Sequence, residues 1–125
     1  MSPDSTNHLD RVRRLCLALP EAKERLSHGE PTFFVRNKVF VMFAEDHHSD
    51  GHLAVWLPVS PGLQEALIES DPETYFRPPY VGHRGWIGIE LDRIGDDELG
   101  AFIEEAWERV SPQRLVGEYR ASLDA

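Results

Sequence analysis

Residues 75–91 read YFRPPYVGHRGWIGIEL, and the side chains able to do chemistry crowd there. Arg77 and Arg84 are cations suited to an anion, while Tyr80 and Trp86 carry rings that stack on a planar ligand or pair with a guanidinium. His83 stands between them. Pro78 and Pro79 fix φ and donate no backbone hydrogen bond, so 77–79 is expected to be extended. Gly82 and Gly85 allow turns that other residues resist. A stiff loop of cations and rings beside a strand is a recognition surface, with Tyr80, His83 and Trp86 as its candidates. For Trp86, packing on the sheet is favoured over ligand contact, because large aromatics dominate cores.

Glu45, Asp46, His47, His48, Asp50 and His52 are of the types that ligate divalent metals. They fall in an expected hairpin turn, where adjacent histidines on extended chain point to opposite sides. No HExxH, CxxC or second dense cluster accompanies them, so no metal and no cofactor is assigned. Nucleophilic chemistry finds no GxSxG elbow, and phosphate cradles of the P-loop or GxGxxG type are absent from the sequence. Cys16 is the single cysteine. It lies within a helical apolar pattern, which reads as a buried, inert thiol. The carboxylates lie mostly on outward helix faces, so no catalytic residue is assigned.

The formal net charge is −9, which repels nucleic acid and anionic membranes unless charge is segregated. It is segregated in part. Over 11–38 there are seven basic residues against three acids, and over 90–108 eight acids against Arg93 alone. Arg13 and Arg14 on the first helix, Arg36 and Lys38 at a hairpin tip, and Arg77 and Arg84 on the central loop are therefore the candidate nucleic-acid or anion contacts.

These groups need elements to position them. Leu9, Val12, Cys16 and Leu19 recur at helical spacing, with Asn7 as the expected N-cap and Pro20 near the end. Residues 21–30 read as a charged connector with at most a helical turn. Strands are expected over 31–36, 38–44 and 52–59, with Asn37 in a tight turn and Asp50-Gly51 as a hairpin signal. Strict alternation would put Val39, Val41 and Phe43 on one face of the second strand and Phe40 and Met42 on the other. Ser60-Pro61 starts a helix that Ser70-Asp71-Pro72 stops. A strand over 86–91 alternates Ile87, Ile89 and Leu91 against Trp86, Gly88 and Glu90, and a helix or the Trp ring is expected over Gly88. Leu99, Phe102, Ile103, Ala106, Trp107 and Val110 make the clearest helical stripe, which Asp96 and Asp97 cap or favour, and a short helix over 113–123 follows.

The chain of 125 residues is expected to be one domain over 1–125, with 1–6 frayed. Its order, α-β-β-β-α-β(β)-α-α, predicts an α+β fold of two layers, helices on a mostly antiparallel sheet. No run is apolar and long enough to span a bilayer, no secretory signal opens the chain, and the lone cysteine suits a cytoplasmic setting without a membrane partner.

Four segments in this order resemble the MmcQ/YjbR family: RLCLALPEAKE, GEPTFFVRNKVFVMF, YFRPPYVGHRGWIGIELD and DELGAFIEEAWERVSP. The resemblance covers nearly the whole chain. It implies a small α/β fold shaped like the secretion-chaperone and CyaY domains, and DNA as the partner, since members are commonly described as DNA-binding. The family pattern often has a lysine, an arginine and polar residues before the Trp; here VGHRGW keeps Arg84 and Trp86 but has His83 and Gly85. The expectation is thus a non-enzymatic binding module with DNA as the family-implied partner. The alternatives are a protein-interaction domain, self-associating or with another protein, and a small-molecule or enzyme site at the loop from Tyr80 to Trp86.

Overall fold

A computed structural model describes residues 3–45 and 52–124. The elements are α1 (Pro3–Leu17), β1 (Lys23–Ser27), β2 (Glu30–Val35), β3 (Lys38–Glu45), β4 (Leu53–Leu57), α2 (Leu63–Ser70), β5 (Tyr75–Phe76), β6 (Ile87–Glu90), α3 (Asp96–Val110) and α4 (Gln113–Leu123). The strands form one sheet in the order β1-β2-β3-β4-β6-β5, antiparallel throughout. This is the α+β fold that the order of apolar patterns predicts.

Two hairpins are closed by pairs of residues with positive φ. His28 (φ 53) and Gly29 (φ 81) join the Ser27↔Glu30 pair, and Arg36 (φ 47) and Asn37 (φ 71) join the Val35↔Lys38 pair. Consecutive left-handed residues match the twist of the flanking strands, which is why two-residue loops favour them. The first hairpin corrects the expected charged connector: residues 23–27, KERLS, are an edge strand. Its only large apolar side chain, Leu26, is 72% exposed, so no buried alternation marks it in the sequence.

One face of the sheet packs against the helices. Val12 and Cys16 of α1, Leu99, Ile103 and Trp107 of α3 and Leu115 of α4 meet Phe33, Val55, Ile87 and Ile89 in the main core. Trp107 Nε1 donates to the Pro20 carbonyl at 2.9 Å, so the largest core ring also satisfies its polar atom. The opposite face carries a smaller cluster of Ala44, Trp56 and Trp86, with Val39, Met42, Phe76 and Val81 against it.

β3 departs from the strict alternation expected of it. Phe33 pairs with Val41 and Phe34 with Val39, so Phe40 is an extra residue, a β-bulge. Phe40 and Val41 consequently both enter the main core, and Val39 joins the outer cluster. Further differences are local. α1 begins at Pro3, so residues 3–6 are helical and Asn7 lies inside the helix. α2 begins at Leu63 behind Gly62, and the Ser60 carbonyl accepts the Leu63 N–H at 3.0 Å in the turn before it. Asp96 and Asp97 occupy the first turn of α3, where they complement the positive end of the helix dipole without capping by side chain. Asp50-Gly51, with Asp46, His47 and His48, lies outside the described residues.

Candidate functional site

The loop that leads into β6 is folded on itself by short-range bonds. Gly82 N–H donates to the Pro78 carbonyl at 3.0 Å, and two further bonds of 3.0 Å, Arg84 N–H to the Val81 carbonyl and Gly85 N–H to the Gly82 carbonyl, close a single 3-10 turn over Gly82–Arg84. Gly85 ends that turn at φ 87, a conformation that the missing Cβ makes cheap. Gly82 serves differently from the turn expected of it: a Cβ there would meet Arg77 Cγ at 2.6 Å, so the residue is small to admit the arginine stem. Gly88 likewise lies under a side chain. The Phe76 ring of β5 covers it, in place of the helix or Trp expected.

Gln64 of α2 pins this loop. The side chain is 6% exposed, and its Nε2 donates to the Gly82 carbonyl at 2.8 Å and the Trp86 carbonyl at 2.6 Å. Both ends of the 3-10 turn are thereby tied to one buried amide. Trp86 is 6% exposed within the outer cluster, in the packing role expected of it, whereas Tyr80 (φ 64) stands 63% exposed. His83 and Arg84 are exposed, and the Arg84 guanidinium lies over the Trp86 ring, 5.3 Å from its centroid.

The six candidate cations separate into two groups. Arg13 grips Glu24 with two bonds of 2.8 Å, Arg36 grips Glu21 at 2.8 and 3.0 Å, and Arg14 reaches Asp96 at 2.9 Å. The carboxylate hydrogen bonds push the Arg13 and Arg36 pKa values up, and the partnering guanidinium groups hold Glu21 and Asp96 below the usual carboxylate range. These three arginines are already neutralised by neighbours. Lys38, Arg77 and Arg84 make no ion pair among the described residues.

Lys38 and Arg84 meet in a cleft of about 680 Å³ at one end of the sheet. Its walls are the tip of the β2–β3 hairpin (Asn37, Lys38), the turn before Trp86, and the last turn of α3, which supplies Arg109. Arg109 also makes no ion pair among the described residues: Glu108 is held by Arg120, Glu104 accepts the Tyr119 hydroxyl at 2.8 Å, and Glu105 accepts the Ser60 hydroxyl at 3.1 Å. Sequence reasoning missed Arg109, because one arginine in an acidic helix carries no periodic signal. It missed Gln64 because the partners of that amide lie 18 and 22 residues away. Arg77 lies against Gly82 and supports the loop rather than lining this cleft.

Other chemistry has less to work with. Of the histidine-rich segment, His52 places Nδ1 2.5 Å from Glu90 Oε1 and stacks on Phe76 at 3.9 Å. Among the described residues no three metal-ligating side chains gather. Cys16 is buried, and desolvation pushes its thiol pKa well up, which removes it from nucleophilic work at neutral pH. Among the described residues no helix is long and apolar enough to cross a membrane.

A six-stranded antiparallel sheet backed by helices, with a tethered loop at one end, defines a small α+β class of protein. The family model described as YjbR matches residues 17–109, more than half of the sequence, and the chain belongs to the YjbR family. Among solved structures it is similar to that of the Deinococcus radiodurans protein DR2400, which carries a DUF419 domain. The TM-score is 0.71 at 20% identity, over 84% of this chain and 79% of that one. At that identity the likeness speaks for the fold alone. No curated protein matches the chain.

Proposed function

We propose that the chain is a non-enzymatic module that binds nucleic acid through its phosphates, at the cleft formed by Lys38, Arg84 and Arg109. The single observation that carries this is that three cations from three separate elements converge there with no carboxylate partner among the described residues. Asn37 adds a polar side chain to the wall, and exposed His83 adjoins Arg84. Arg13, Arg14 and Arg36 contribute little, since a phosphate would have to displace the carboxylates they hold.

Three cations on a chain of net charge −9 make a modest site. Each phosphate neutralised contributes a slope of about −0.9 in log K against log salt on duplex DNA, so three contacts weaken binding roughly 40-fold between about 50 and 200 mM salt. Fluorescence anisotropy with labelled duplex and single-stranded oligonucleotides measures this. Arg84→Ala and Arg109→Ala should each flatten the slope by about one, while Arg36→Ala should leave it unchanged. Absence of binding at the lowest salt, or a slope that Arg36 controls instead, overturns the reading.

A further inference from the structure

We propose that a second pocket, on the outer face of the sheet, binds a small planar aromatic cation. The pocket has a volume of about 690 Å³, within the range of roughly 300–1,000 Å³ typical of small-molecule sites. Its floor is Met42, Ala44 and Trp56; the β1–β2 hairpin forms one wall, and Tyr80 stands at the other. The cleft of the nucleic-acid proposal has none of these residues, so the two sites stand or fall separately.

Two observations choose the ligand. The first is charge. Among the described lining residues, Glu30 is the only one with a fixed formal charge. Its Oε2 accepts the Glu45 N–H at 2.8 Å, and it makes no ion pair among the described residues. A carboxylate at an apolar, ring-lined pocket favours a cation, and the field of a chain with net charge −9 adds to that preference. The second is Tyr80. Tyr80 takes φ 64, a conformation that bulky residues rarely adopt, and leaves 63% of its surface exposed. This backbone sets an exposed aromatic ring beside the pocket, where it can stack on a flat ring.

The test uses the nucleic-acid-free full chain and two probes of one ring shape, cationic 9-aminoacridine and anionic 9-anthracenecarboxylate, titrated by isothermal calorimetry. The expected result is saturable binding of the cation, about tenfold or more tighter than the anion. Glu30→Gln should abolish that preference, whereas Asp97→Asn, a charge change outside the pocket, should preserve it. Tyr80→Gly should weaken binding of the cation, whereas Tyr80→Phe, which keeps the ring, should preserve it. A purely structural Tyr80 would leave binding unchanged in both variants. Equal affinity for both probes, no binding of either, or a preference insensitive to Glu30→Gln overturns the proposal. The Glu30 variant decides the matter even if Tyr80→Gly fails to fold.

Discussion

Asp96 receives hydrogen bonds from both Arg11 and Arg14, and these hold its carboxyl below the ordinary aspartate value. Arg11 also donates to the Leu91 carbonyl at 2.7 Å and to the Ile94 carbonyl, so one side chain clips α1 to the start of α3. A carboxylate whose folded pKa is depressed contributes stability above its unfolded value, about 3.9, and loses it as pH falls through the folded value. Asp96 is half-exposed, so solvent screening limits the effect to about 0.5–1 kcal/mol. Asp96→Asn should therefore be less stable than the parent in urea denaturation at neutral pH. The difference should shrink as pH falls below the ordinary aspartate value and the parent carboxyl takes up its proton as well. A difference that persists at low pH would assign the effect to packing instead.

The element that depends most on a distant partner is the turn Gly82–Arg84 with its flanks. Gln64 satisfies two backbone carbonyls there, and replacing a buried donor leaves them without it at about 1–3 kcal/mol. Gln64→Leu should lower stability by that order. If the turn positions Arg84 as described, the same change should also weaken oligonucleotide binding several-fold without removing a charge. Denaturation and anisotropy on the same variant separate the two effects. How far such elements are legible in a sequence depends on what defines them. β4, β6 and α3 are written in alternating or helical apolar residues, and those patterns survive because one face of each is buried. β1 is written in charge, and its single apolar residue points to solvent, so it read as connector. The bulge in β3 left no mark, because Val39, Phe40, Val41 and Met42 are all apolar and either phase looks acceptable. The cleft was half legible: Lys38 and Arg84 came from sequence, but Arg109 needed the helix to be docked before its neighbours were known.

At the scale of the whole molecule, the sheet is unevenly supported. β3 and β4 sit centrally, with helices on one face and the Trp56–Trp86 cluster on the other, while β1 forms an edge that buries little. Amides that open locally exchange faster than those released only by global unfolding. Hydrogen–deuterium exchange should accordingly find the paired amides of β3 and β4 among the slowest. The outward amides of β1 should exchange at least about a hundredfold faster. Uniform protection across the sheet would show that the edge is tied down by something beyond its own pairing.

The unpaired Phe40 also governs what this strand tolerates in length. Parity along a strand normally means that losing one residue turns every later side chain over. Here the loss would act as a repair. With Phe40 gone, Val39 would still precede Val41 on the opposite side, and Lys38 would keep its phase relative to both. The strand would give up one aromatic ring from the interior but leave the cation at its mouth where it stands.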